Sequence, residues 1–415
     1  MIVNNSIIFF LLFSAIFLGG IHPSYQLFID YYDIFLVISF LILFFRQKVL
    51  RSSYDLYISK YDIIFILLII FCSVPALLLN NQLRSTQLIV GIFYPIRLYL
   101  SYKVFTYLFN ENQFSISKKF IKFFDILIIF SLISGLSSLL RYLPNGIGLF
   151  IDNTWPIISN KQILPQLYWG RLWGTMGGTN TAGNYFTILS LFTFYRYQAT
   201  GKRFYIFQFF LFTLCVLMSL SFGSIIGFLF GMFLLMIKFL KIRSIFITSF
   251  IGCCLFFIAM SNELFYSIIE KRIFVNWSYG GLIPENLVSR TGYWIEFTKI
   301  MFEGPHFFYG NGPGGLRGIA SHGNPESFYF RIFNESGFIG IVMFIILFLK
   351  LFKQINFIKK NNNYDNHFSI LRILLLVMLV MCVSAETFYS NGVSQIFILI
   401  LTYVSTYYNR IKSFP

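Results

Sequence analysis

The sequence predicts an all-α polytopic membrane protein, with about 12 transmembrane helices and two large loops on one side of the bilayer. Three observations carry this. The 415 residues are 57% hydrophobic and only 12% charged, with a mean hydropathy of +0.72, whereas soluble chains run near a quarter charged. Apolar runs of ~17–23 residues, each able to cross a ~30 Å hydrocarbon layer as a helix, recur from end to end. The Lys and Arg residues concentrate in alternate connections, which is the asymmetry that orients membrane helices. Residues 1–415 therefore read as one integral membrane domain.

The predicted spans fall near 6–20, 31–45, 62–79, 87–109, 121–140, 183–199, 204–220, 223–240, 244–260, 334–352, 368–385 and 391–408. The first has the apolar core of a signal peptide, but no Lys or Arg precedes it, so it reads as a retained helix. A tight turn at Ser221–Gly223 separates the seventh and eighth. One alternate set of short connections holds 19 of the 32 Lys and Arg residues, and the short connections of the other set hold only Arg84. Both termini are thus expected in the cytoplasm, with loops 141–182 and 261–333 facing outward. The net charge of +16 is mostly this topological signal. No basic cluster interleaved with aromatics offers a nucleic-acid face. Cys72, Cys215, Cys253, Cys254 and Cys382 all lie in apolar runs without CxxC spacing, and read as small hydrophobes.

The first long loop closes with GRLWGTMGGTNTAGNYF, Gly170 to Phe186. Glycines let backbone N–H groups turn toward an anion, and a helix N-terminus with an Arg beside it suits a phosphate. Arg171, Asn180 and Gly183 occupy that junction. The plainer alternative is an interfacial turn with Arg171 reaching the lipid headgroups.

The second long loop carries more chemistry. Residues Pro284 to Glu303 have helical spacing, with Leu287, Trp294, Phe297 and Met301 as an apolar stripe. Arg290, Glu296, Lys299 and Glu303 are read as lying away from it, which predicts an amphipathic helix on the outer membrane surface. GNGPGG, Gly310 to Gly315, lacks the strand-then-helix context of a dinucleotide site and reads as a turn. SHGNPESFYFRIFNESG then gathers His322, Asn324, Glu326, Arg331, Asn334 and Glu335. His322 can accept a proton from a hydroxyl, and Glu326 or Glu335 could orient it or replace it. Alternatively, Arg331 and Glu335 merely pair. His22 and His367 sit in short connections and look incidental. Arg97 inside the fourth span and Glu335 at the start of the tenth are costly in lipid, so they point to a polar cavity. No Asp, Glu and His set has metal-ligand spacing, and no metal or other cofactor is expected.

RLWGTMGGTNTAG from Arg171, RTGYW from Arg290, GNGPGG, HGNPES from His322 and FNESGFIG together resemble the O-antigen polymerase and O-antigen ligase superfamily of membrane glycosyltransferases. Two positions depart from its patterns: Phe222 stands where an Arg often follows Ser, and Ala182 stands eleven places after Arg171, with Gly183 next. The resemblance implies a GT-C-like fold in the bacterial inner membrane with both large loops in the periplasm. It also implies a donor glycan on undecaprenyl pyrophosphate and an acceptor sugar hydroxyl. On that likeness Arg171 and Arg290 grip the pyrophosphate, with Arg97, Asn180, Asn324 and Arg317 around it or the glycan. His322, assisted by Glu326 or Glu335, deprotonates the acceptor. Guanidinium forks can stabilise such a leaving group without metal. A chain-length regulator and a flippase of the same pathway are the implied partners, together with membrane lipids. Repeat-unit polymerisation is the favoured activity, and ligation of finished chains to a lipid A core is the alternative. A flippase or transporter is the competing class, although no internal repeat relates residues 1–200 to 201–415.

Overall fold

The computed structural model describes residues 5–18, 20–24, 27–50, 59–79, 85–110, 116–140, 179–239, 285–302, 306–312, 327–361, 365–385, 387–389 and 392–413. In chain order the helices are α1 (Asn5–Leu18), α2 (Tyr31–Leu50), α3 (Lys60–Leu79), α4 (Ser85–Asn110), α5 (Ile116–Leu140), α6 (Thr179–Thr200), α7 (Arg203–Ser219), α8 (Phe222–Phe239), α9 (Glu285–Phe302), α10 (His306–Tyr309), α11 (Phe328–Asn361), α12 (Asp365–Met381) and α13 (Val393–Ser413). A single 3₁₀ turn, Thr387–Tyr389, precedes α13. Every predicted span coincides with a helix except that at 244–260, which lies outside the described residues.

The exterior is apolar where that of a soluble protein is polar. Ile129, Ile133, Leu136 and Leu140 on α5, and Phe222, Ile226, Leu229, Phe233 and Ile237 on α8, form exposed apolar stripes at helical spacing. Meanwhile Ser131, Ser134, Asn184, Thr187, Ser190 and Thr402 are buried. Lipid is the solvent that makes such exteriors favourable, and helices satisfy their own backbone there. Among the described residues, Ile116–Leu140, Phe222–Phe239 and Phe328–Asn361 are each long and apolar enough to cross a membrane. The protein is a helical membrane protein.

α6 forms the centre. From Ala182 to Tyr195 every residue is buried, and the helix packs against α7, α8 and α12. A helix covered on all sides has little need of an amphipathic pattern. On α8, Gly223, Gly227 and Gly231 lie one turn apart. A Cβ at Gly223 would collide with Ser384, one at Gly227 would lie 2.5 Å from Met381 Cγ, and one at Gly231 would lie 2.8 Å from Val377 Cγ2. These glycines leave hollows on α8 that the side chains of Met381 and Val377 on α12, and of Leu191 on α6, fill.

Four details depart from the sequence reading. His22 belongs to a strand, because Gly20–Ser24 pairs antiparallel with Leu27–Asp30. His367 is buried within α12, ringed by Phe120, Phe368 and Tyr403 rather than sitting in a connection. The α7–α8 turn is at Leu220–Ser221, because Leu220 takes a left-handed C-cap conformation (φ 46°, ψ 31°), which ends α7 one residue early. The helix of the tenth predicted span, α11, begins at Phe328, ahead of Glu335, and is broken at Gly337 (φ 63°, ψ −161°), a conformation essentially restricted to glycine.

Candidate functional site

The segment 382–388, between α12 and α13, is where distant elements meet. Phe328 N–H donates to the carbonyls of Cys382 (3.0 Å) and Ala385 (3.2 Å), and Ser327 Oγ donates to the Cys382 carbonyl at 3.2 Å. The Arg290 guanidinium donates to the Ser384 carbonyl at 3.1 Å. The Tyr94 hydroxyl of α4 donates to the Phe388 carbonyl. From α6, Asn184 Nδ2 donates to Thr387 Oγ1 at 3.3 Å. Asn184 Oδ1 in turn accepts from Ser224 Oγ at 2.7 Å, and Ser224 contacts Ser221 at 2.8 Å. The described residues between α12 and α13 therefore receive α4, α6, α9 and α11. Their carbonyls lack intrahelical donors, and the Tyr94 and Arg290 side chains and the Phe328 N–H supply them.

α9 is docked on the protein by the very stripe that the sequence reading sent toward the membrane. Phe297 and Met301 are buried, and Trp294 stacks on Phe330 at 5.1 Å and 12°. At 100° per residue, Arg290 falls between Phe297 and Met301, so it belongs to this face rather than the opposite one. Packing of the stripe on α11 accordingly aims Arg290 at Ser384. The outward edge carries the exposed Ile295 and Phe302 instead.

The GNG of the second loop also has a structural task. The break at Gly337 strips the carbonyls of Asn334 and Glu335 of their helical donors. Asn311 N–H fills the first at 2.6 Å and Gly312 N–H the second at 3.2 Å, while Asn311 Nδ2 donates to Asn334 Oδ1 at 3.0 Å. Gly310 (φ 76°) fits here because a Cβ would lie 2.5 Å from the Glu335 carbonyl carbon. These two N–H groups serve α11.

Glu335 is buried and paired with Arg331 one turn earlier (3.0 Å), the plainer of the two sequence readings of this pair. Arg97, 9% exposed within α4, pairs with Asp33 of α2 at 2.8 Å, and its guanidinium lies 5.0 Å from the Tyr32 ring. Tyr94 lies one turn before Arg97 on α4 and its hydroxyl reaches Phe388, whose ring packs on Phe328, one turn before Arg331 on α11. Arg97 and Glu335 thus share one polar neighbourhood at the end of the bundle where Arg290 docks. Asn180 is partly buried in the first turn of α6, one turn before Asn184. Arg171, Arg317, His322, Asn324 and Glu326 lie outside the described residues. Phe222, at the position of family departure, is an exposed apolar side chain, whereas Ser221 beside it is buried.

Sequence reasoning missed the 382–388 turn, Tyr94, Asp33 and the Asn184–Ser224 contact. A signal for the turn existed: SAETFYSNG, Ser384 to Gly392, is a polar interruption between two apolar runs. No protein-family model, curated protein or solved structure matches the chain.

Proposed function

We propose that this chain is an O-antigen polymerase, or a polymerase of a related surface polysaccharide. In this reading it is a GT-C-like enzyme of about 12 spans in the bacterial inner membrane, and it joins repeat units carried on undecaprenyl pyrophosphate at the outer face. The observation that carries the proposal is the docking of Arg290 onto the 382–388 turn. There one guanidinium from a long loop meets the neighbourhood of Arg97, Tyr94 and the Arg331–Glu335 pair. Fixed guanidinium groups at a water-poor site stabilise a departing pyrophosphate oxygen far better than they do in water. Arg290 serves that leaving group, with Arg97 near it. His322, in the adjoining stretch, takes the acceptor proton. Glu335, held by Arg331, keeps the positive field from being uncompensated.

Gel analysis of surface glycan after deletion of the gene tests the reading. A single-repeat product is expected. Long lipid-linked chains absent from the core indicate the ligase instead, and loss of all export indicates a flippase. In complementation, Arg290→Ala should lower polymer formation by about 100-fold or more while membrane protein levels persist. Undiminished laddering in that variant overturns the chemistry.

A further inference from the structure

The start of α3 packs against the second half of α11, and Lys60 and Lys350 lie at that junction, which this chemistry does not use. Ser59 and Asp62 cap α3 reciprocally: Ser59 N–H donates to Asp62 Oδ2 at 2.6 Å, and Asp62 N–H donates to Ser59 Oγ at 3.1 Å. Lys103 takes the other Asp62 oxygen at 2.6 Å. That buried carboxylate also attracts Lys350 electrostatically, without a direct ion pair between them. Lys350 Nζ stands 3.7 Å from the centroid of the Tyr61 ring, and the Tyr61 hydroxyl donates to Gln354 Oε1, one turn past Lys350, at 2.6 Å. The ring and the ammonium are therefore held in fixed register. Lys60 and Lys350 repel one another electrostatically. Neither has a carboxylate partner among the described residues.

The surroundings say what could neutralise them. α3 leaves this point with Ile63, Ile66, Leu67 and Ile70 exposed, and α11 reaches it with Ile345, Ile346 and Leu349 exposed. Both stripes lie on the same side of the two lysines, because α3 starts where the second half of α11 arrives. A ligand that satisfies both features has an anionic head and apolar tails. We propose that Lys60 and Lys350 clamp the phosphate of an anionic phospholipid, whose acyl chains lie along α3 and α11. The phosphate oxygens take charge-assisted hydrogen bonds from the two ammonium groups, and Tyr61 floors the site. This site lies roughly 20 Å along α11 from the Gly337 break, at 1.5 Å per residue, and its occupancy is separate from glycan transfer.

Thermal unfolding of the full-length protein in detergent tests this, with phosphatidylglycerol, phosphatidylcholine or inorganic phosphate added. Phosphatidylglycerol should raise Tm by at least about 3 °C over phosphatidylcholine, and inorganic phosphate should leave it unchanged. Lys60→Gln with Lys350→Gln should lose that increment while keeping its Tm in phosphatidylcholine, and the paired Arg substitutions should retain it. An equal increment in the Gln variant overturns the site, as does no increment in the parent. Reproduction of the shift by inorganic phosphate overturns the lipid as ligand and indicates a soluble anion. If the double variant does not fold, native mass spectrometry of Lys60→Gln decides, since retained phosphatidylglycerol binding refutes the clamp. None of these readouts involves glycan, so their failure leaves the transferase reading standing.

Discussion

The two arms of α11 are one continuous stretch of chain, yet they are stabilised in opposite ways. The short arm, 328–336, depends on the rest of the molecule. Its first N–H bonds the 382–385 turn, its last carbonyls are filled by Asn311 and Gly312, and it carries the buried Glu335. The long arm, 338–361, keeps its own hydrogen-bond ladder and presents Phe338, Ile345, Ile346 and Leu349 outward. The difference shows how an apolar bundle admits polar groups. It interrupts a helix, surrenders two backbone bonds, and lets another segment replace them where protein rather than lipid surrounds the gap.

The sharpest way to break the comparison is Gly337→Ala. A side chain there is forced into a glycine-only conformation and against the Phe308 carbonyl, at a cost of about 3 kcal/mol or more. Loss of monodisperse protein in size-exclusion chromatography is the expected result, and wild-type behaviour would mean that the arms need no break. Glu335→Gln comes next. It leaves Arg331 without its carboxylate, and because the Arg331 side chain is 28% exposed, the loss is held to about 1–2 kcal/mol. A lowered unfolding midpoint, partly recovered when Arg331→Gln is added, is the check. Leu349→Ala on the outer face of the long arm should move the midpoint by no more than about 0.5 kcal/mol in the same measurement.

The helical scaffold was legible because long apolar runs fold as helices in lipid, and each described run lies in one. The position of Glu335 ahead of an apolar stretch also signalled an enclosed charge. What escaped were long-range pairings. Nothing near Arg97 in the chain names Asp33, 64 positions earlier, and nothing near Tyr94 names Phe388. The Gly337 break looked like an ordinary helix start, since its cause is a backbone angle and not a hydropathy change. Arg290 is a different case. Its face followed from 100° spacing, but grouping residues by polarity separated it from the stripe that positions it.

The glycine ladder on α8 also limits how the protein can breathe. With no side chain at 223, 227 or 231 and Met381 and Val377 seated in the vacated space, sliding α8 along α12 by even a fraction of a turn would drive methyl groups into main chain. These two helices must travel as a single strut. Any widening of the bundle to let a bulky amphiphile enter from the side must open along other seams, where flexible large side chains meet and can change rotamer.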